Sequence, residues 1–332
     1  MTRVVITELP SHAGRDLGVE QSILGRDVEL VHHYCGGDEN ELISVCRDAD
    51  VVLTDLLTFT REVIEEMRRC QLISIAGTGY SNVDLSAAHD ASISVCAIDE
   101  YCTDEVADHV ILLMLALSRR LIEYHEKVQI EKLWQFDSVT SLSRLRDKTL
   151  GIIGFGRIGQ AIARRAQGFG MTILANDHHQ AEHANASLDV QFCDLPTLLN
   201  SSDVISLNCN LSDGDDNLID ADAFARMSRK PILINCARGG LVDETAMLDA
   251  LDSGQISGAG LDVLRDEPPD LKSSKFAGRS NVILTPHVAF YSDESILESR
   301  QISARNIRNF LDGAHENVRR YIYHAASQES TL

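Results

Sequence analysis

The sequence predicts an α/β protein made of two doubly wound parallel-sheet domains. Three observations carry that expectation. Short β-branched runs alternate with helical patterns. The alternation is interrupted by a long apolar helix after residue 102 and resumes at Thr149. At 332 residues the chain exceeds one ordinary core, so about two domains are expected.

In the first series Arg3 to Thr7, Val28 to Val31, Asp50 to Leu53, Leu72 to Ala76 and Ile93 to Cys96 read as strands. Helix-like segments such as Arg61 to Arg69 and Asp84 to Ala91 lie among them. Thr103 then reads as an N-cap, with Asp104 and Glu105 in the first turn and Arg119 and Arg120 near the last, both suited to the helix dipole. Apolar positions from Val106 to Leu117 run nearly all round this helix, which is therefore expected to be buried on most sides, with a domain crossing just before it. The second series places strands near Leu150 to Gly154, Met171 to Asn176, Asp203 to Leu207, Ile232 to Asn235, Gly258 to Val263 and Val282 to Leu284. A final helix is expected at about Ser292 to Leu311.

Composition narrows the function classes. With 30 basic against 50 acidic residues the net charge is -20, which repels nucleic acid and anionic membrane unless basic residues concentrate in a patch. The pairs Arg68/Arg69, Arg119/Arg120, Arg164/Arg165 and Arg319/Arg320 fall in predicted helices and read as solvated faces, so neither partner is expected. The opening has only Val4 to Ile6 before an acid, unlike a secretory signal, and Val110 to Leu117 is too short to span a bilayer. The expected location is the cytosol. Eight cysteines without C-x-x-C spacing point to reduced packing thiols and to no metal site.

Between Thr149 and Asp177 the order is strand, Gly154-Phe155-Gly156-Arg157-Ile158-Gly159, helix to Phe169, and strand ending in an acid. A glycine triplet alone is weak, but in this context it is the arrangement that a dinucleotide needs. Gly154 permits the turn, Gly156 lets backbone approach a pyrophosphate at the helix N-terminus, and Gly159 lets the helix pack closely. Asp177 would accept from the ribose hydroxyls and repel a 2'-phosphate, so the expected cofactor is NAD. His178, His179 and His183 offer an i, i+4 imidazole pair, but their polar loop holds no completing carboxylate or thiol, and they read as surface histidines.

Arg238, Glu267 and His287 each follow one of three successive predicted strands, whose carboxyl ends line the ligand crevice in open α/β sheets. Reducing a 2-oxo acid needs a cation for the carboxylate and carbonyl oxygen and a proton donor for that oxygen. Arg238 and His287 are of those types, and Glu267 hydrogen-bonded to His287 would favour the imidazolium. Any one of these residues could simply satisfy a turn. Three at strand ends together argue for chemistry.

On these residues the chain resembles the D-isomer-specific 2-hydroxyacid dehydrogenase family, from about Asp50 to Leu311. The most specific stretches are Gly154 to Gln160, Ile234 to Asp243, Gly258 to Asp262 with Glu267-Pro268, and Thr285-Pro286-His287. The resemblance implies that Arg238, Glu267 and His287 are the catalytic set and that Asp262 contacts the nicotinamide carboxamide. It implies further cofactor contacts at Thr103, Arg157, Ile158, Cys209, Asn210, Cys236 and Ala237, besides Arg238 and His287 themselves. Backbone groups of Gly77-Thr78-Gly79 would hold the substrate carboxylate, with Thr78, Gly79, Arg238 and His287 as the substrate contacts. It also implies a flavodoxin-like substrate-binding domain of residues 1–101 to which 292–332 returns, and a Rossmann NAD-binding domain of residues 102–291. A homodimer would form through the helix and arm around Thr103 to Leu145, making Trp134 and Phe136 interface or core residues.

The stretches His287 to Ser292 and Tyr101 to His109 resemble the branch that includes the C-terminal binding protein corepressors, although Phe290 replaces its usual Trp and Asn210 the family's usual Pro. The alternative function is therefore an NAD-sensing, corepressor-like regulator with a residual dehydrogenase site. Formate-oxidising relatives pair the histidine with Gln, where this chain has Glu267. The loop Thr54 to Thr60, which by resemblance faces the substrate, offers Asp55 and apolar groups where a phosphate would want Arg or Lys, so an unphosphorylated acid with a small or apolar side chain is expected.

Overall fold

The computed structural model of the chain describes residues 1–10, 14–178, 187–210 and 216–325. In chain order the elements begin β1 (Thr2–Glu8), α1 (Gly18–Leu24), β2 (Val28–Tyr34), α2 (Glu39–Cys46), β3 (Val51–Thr54), α3 (Arg61–Glu65), β4 (Leu72–Ile75), α4 (Leu85–Asp90), β5 (Ser94–Cys96), α5 (Thr103–Ser118) and α6 (Leu121–Gln129). They continue with β6 (Thr149–Ile153), α7 (Arg157–Gln167), β7 (Thr172–Asn176), β8 (Val190–Phe192), α8 (Leu195–Ser201), β9 (Val204–Leu207), α9 (Ala221–Ala225), β10 (Ile232–Asn235) and α10 (Glu244–Asp252). The last are β11 (Gly258–Leu261), β12 (Val282–Leu284), α11 (Asp293–Leu311) and β13 (Tyr321–Tyr323). Two compact units result, Met1–Tyr101 with Ser292–Leu332, and Cys102–Tyr291.

In the first unit the strand order is β13-β5-β4-β3-β1-β2. The run β2-β1-β3-β4-β5 is parallel, the flavodoxin-like order. Because successive residues of a strand face opposite sides, Val5, Val52, Ile73 and Val95 enter one core while Val4, Val51, Leu53 and Leu72 enter the other. Ala304 and Ile307 of α11 close the second core, which is why the C-terminal helix belongs here. Ser292 caps that helix through a reciprocal bond with Ser295. The sheet also gains β13, antiparallel to β5, which the sequence reading did not include.

The second unit holds the order β12-β11-β10-β9-β6-β7-β8, all parallel, the doubly wound dinucleotide-binding order with one strand added. On one face Leu150, Ile152, Val204, Ile232 and Ile234 pack against α5 and α7. On the other, Ile205, Leu207, Leu233, Ala259 and Leu261 pack against α8, α9 and α10. Both faces are covered, and the strands accordingly read as continuous apolar runs.

Four local expectations change. Thr103 is the first helical residue and Cys102 the N-cap, with no side-chain cap; Asp104 and Glu105 supply the negative charge that favours a helix start. Arg119 is the C-cap of α5, and Arg120, at φ +51°, is the N-cap of α6 and pairs with Glu123. Arg68/Arg69 and Arg319/Arg320 lie outside helices, in the turns after α3 and before β13, where Arg69 and Arg319 pair with Asp50 and Asp99. Trp134 and Phe136 are 90% and 88% exposed, which removes the core reading for both. Among the described residues no helix is long and apolar enough to cross a membrane.

Candidate active site

The glycine-rich turn leaves β6 at Ile153 and enters α7 at Arg157. Gly154 has φ +88°, and a Cβ there would lie 2.6 Å from the Cys209 nitrogen, because the exit of β9 crosses directly beside it. A Cβ on Gly159 would lie 2.4 Å from the Gly154 oxygen, so α7 packs down onto the turn. At Gly156 a Cβ would meet nothing within 4 Å, which leaves open space at the N-terminus of an 11-residue helix that has no side-chain cap. Asp177, one strand away, accepts from the Phe155 N–H at 2.6 Å and so braces the turn. Open backbone at a helix N-terminus with an acid on the adjacent strand fits the pyrophosphate and ribose of a dinucleotide. His178 is exposed, while His179 and His183 lie outside the described residues. Among the described residues no three His, Cys, Asp or Glu gather as a metal set.

The strands β10, β11 and β12 are neighbours, and their carboxyl ends lead into Arg238, Glu267 and His287. The Asn235 side chain fixes the first of these turns, donating to the Arg238 carbonyl at 2.9 Å and accepting from the Ala237 N–H at 3.0 Å. Gly239 is needed for space: a Cβ there would lie 2.0 Å from the Leu264 carbonyl carbon and oxygen. The segment thus held against Gly239 carries Glu267, whose Oε1 accepts from the Leu264 N–H at 3.1 Å. Its Oε2 lies 2.6 Å from His287 Nδ1.

This pair sets the charge states. The hydrogen bond to Glu267 raises the His287 pKa above the ordinary imidazole value; burial opposes it, the charges of Glu267 and Asp262 add to it, and the Arg238 charge opposes it. Burial pushes the Glu267 carboxyl up, but the bond and charge of His287, the Leu264 N–H and the Arg238 charge bring it below the usual carboxylate range. With Nδ1 on Glu267, the imidazolium keeps Nε2–H as its second donor.

The His287 backbone is at φ +51°, a left-handed conformation that costs energy unless its surroundings hold it. Asp262 does so: its carbonyl accepts from the His287 N–H at 2.8 Å, and its carboxylate, in a residue 2% exposed, accepts from the N–H groups of Val288 and Ala289, each at 2.9 Å. Phe290 stands edge-on to the His287 ring at 6.2 Å. Cys209 and Asn210 follow β9, and Cys236 and Ala237 follow β10, at the same sheet edge. His109, on α5, has a ring that reaches Thr285 at 3.0 Å and is half-buried; its one signal in the sequence was a polar residue on a mostly apolar helix.

In the first unit Gly77-Thr78-Gly79 follows β4. The loop is tied by Arg320, which donates to the Thr78 carbonyl at 2.9 Å, and by the Ile98 N–H on the Gly77 carbonyl at 3.0 Å. The loop Thr54 to Thr60 presents less apolar surface than expected. Leu57 and Phe59 are drawn into the core of that unit, leaving Asp55 half-buried and Leu56 exposed.

Residues 111–289 match the family described as D-isomer specific 2-hydroxyacid dehydrogenase, NAD binding domain. The chain is 35% identical over 290 residues to a hydroxypyruvate reductase of Blautia hydrogenotrophica, covering 85% of this chain and 88% of that one. It is 35% identical over 285 residues to a glycerate dehydrogenase of Methylorubrum extorquens, covering 84% and 88%. A D-lactate dehydrogenase from Aquifex aeolicus, solved with NAD and lactic acid, superposes with TM-score 0.84 at 29% identity, covering 96% of this chain and 98% of that one. With a dinucleotide turn and a histidine–glutamate pair on one sheet edge, the chain belongs to the D-isomer specific 2-hydroxyacid dehydrogenase family and is an NAD-dependent enzyme of that class.

Proposed function

We propose that Arg238, Glu267 and His287 carry the reduction of a small unphosphorylated 2-oxo acid to its 2-hydroxy acid. The observation that carries this reading is the 2.6 Å pair between His287 and Glu267, which favours the imidazolium within reach of the Arg238 charge. NADH, when bound, supplies the hydride. Gly154, Gly156, Arg157, Ile158 and Gly159 would hold its pyrophosphate and Asp177 its ribose, with Thr103, Cys209, Asn210, Cys236, Ala237 and Asp262 as further contacts. His287 Nε2–H donates the proton to the substrate carbonyl oxygen as charge develops there, and Glu267 stabilises the imidazolium beforehand. Arg238 neutralises the carboxylate and polarises the carbonyl. In the reverse direction the neutral imidazole takes the hydroxyl proton.

The first unit, through backbone groups of Thr78 and Gly79, is assigned to the substrate carboxylate. Asp55 supports the exclusion of a phosphorylated acid by charge, and the relatives named for hydroxypyruvate and glycerate support a three-carbon acid. A cytoplasmic homodimer joined through the arm is part of the same reading, supported by the exposure of Trp134 and Phe136. The experiment is a rate comparison of hydroxypyruvate, glyoxylate, pyruvate, 2-oxobutyrate and phenylpyruvate against 3-phosphohydroxypyruvate, each with NADH at one pH. Hydroxypyruvate or glyoxylate is expected to have the highest kcat/KM. Highest kcat/KM on the phosphorylated acid overturns the substrate assignment, and inactivity on every acid favours the NAD-sensing regulator.

A further inference from the structure

We propose that His109 is a positioning residue for the catalytic imidazole, acting through Thr285 and Asp262 on the turn that carries His287. This rests on the reading of His287 as the proton donor.

Four bonds link the residues in series. His109 Nε2 is 3.0 Å from Thr285 Oγ1, Thr285 Oγ1 donates to Asp262 Oδ1 at 2.6 Å, and the Asp262 carboxylate accepts from Val288 and Ala289 N–H. Since the threonine proton goes to Asp262, the oxygen accepts at His109, so the proton on that contact belongs to Nε2. His109 Nε2 is also 3.7 Å from Asp262 Oδ1, close enough for a direct attraction when the imidazole is charged. The two ends of the series are largely withdrawn from solvent: the side chains of His109 and Asp262 are 13% and 1% exposed, and Thr285 between them is half-buried.

The series acts on a backbone that needs holding. His287 is at φ +51°, and the N–H groups of the two residues after it are both fixed by one carboxylate. A carboxylate that can rotate fixes neither. Thr285 Oγ1 occupies one oxygen of Asp262 and His109 stops the hydroxyl from turning elsewhere, so a residue on α5 sets the orientation of a turn after β12. A misplacement on the order of 1 Å at reacting atoms costs about 10²-fold, so partial loosening of the turn should be read directly in kcat.

The test uses the full-length enzyme with hydroxypyruvate and NADH, and four variants: His109→Leu, His109→Gln, Thr285→Val and the double variant His109→Leu/Thr285→Val. His287→Ala is run in parallel. His109→Leu is expected to lower kcat about tenfold or more, with the KM for hydroxypyruvate within about twofold of the parent. His109→Gln, whose amide N–H can reach the same oxygen, should recover most of that loss. Thr285→Val should lose about as much as His109→Leu, and the double variant no more than either, because one series is cut in each. Unchanged kcat in His109→Leu, failure of Gln to rescue, or additive losses in the double variant would each overturn the proposal. If His287→Ala loses turnover while His109→Leu does not, the positioning role fails alone. If His287→Ala keeps its turnover, the assignment of the proton donor fails, and the positioning role with it.

Discussion

Gly239→Ala should damage catalysis without touching any group that meets the substrate. The added methyl would stand 2.0 Å from the carbonyl carbon and oxygen of Leu264 and 2.4 Å from the Arg265 nitrogen. Ordinary contact begins at 3.4 Å, so the neighbouring backbone must retreat by about 1.4 Å. The retreating segment bears Glu267, whose bond to His287 is 2.6 Å long and does not survive a displacement of that size. A shift on the order of 1 Å costs about 10²-fold in rate, or about 2.7 kcal/mol of barrier. Overpacking should cost about 1–3 kcal/mol of stability besides, visible as a lower Tm. The assay is steady-state NADH oxidation with hydroxypyruvate, beside a fluorescence titration of NADH and a thermal melt. The expected result is a folded protein with NADH affinity near the parent and kcat reduced about a hundredfold. Parental kcat in the folded variant would refute the argument that Gly239 sets the position of Glu267.

Glu267→Gln removes the first cause of the raised His287 pKa, so the alkaline limb of the kcat/KM profile for reduction should move to lower pH. The sign follows from the proton: reduction needs the imidazolium, present below the His287 pKa and lost as pH rises through it, and lowering that pKa brings the loss earlier. An unmoved limb would contradict it. Asp177→Asn keeps an acceptor for the Phe155 N–H but removes the charge that would face a 2'-phosphate; the ratio of kcat/KM for NADH over NADPH should fall by about tenfold or more, about 1.4 kcal/mol. Trp134→Asp with Phe136→Asp should convert a dimer to monomers in light scattering, and a parent that is monomeric would end the arm assignment.

The alternation of strands and helices was legible because parallel strands covered on both faces must be continuously apolar, as Val51-Val52-Leu53 and Ile232-Leu233-Ile234 are. The dinucleotide turn was legible because its geometry leaves so few residue choices: at Gly154 and Gly159 a Cβ meets backbone under 3 Å away. The pairing of Glu267 with His287 followed from their places after adjacent strands. What could not be read was contact that depends on distant parts of the chain. His109 and Thr285 are 176 positions apart and share no local pattern. The short β13 joins the sheet by pairing with β5 near the far end of the chain, and Leu57 and Phe59 turn inward because a core stands beneath their loop. Thr103 was misplaced by one residue because residue type alone suggested a cap that the backbone sets at Cys102.

In the proposed reaction His287, held by Glu267, gives the proton that reduction of a 2-oxo acid requires. The decisive variant is His287→Ala, with single-turnover and steady-state NADH oxidation measured on hydroxypyruvate and NADH affinity measured by fluorescence on the same preparation. The rate should fall by about 10²–10⁴-fold with NADH affinity nearly unchanged, since the imidazole would act on the carbonyl oxygen and the adenosine end of the cofactor would lie at Asp177. A variant that binds NADH and reduces hydroxypyruvate at the parental rate would contradict it.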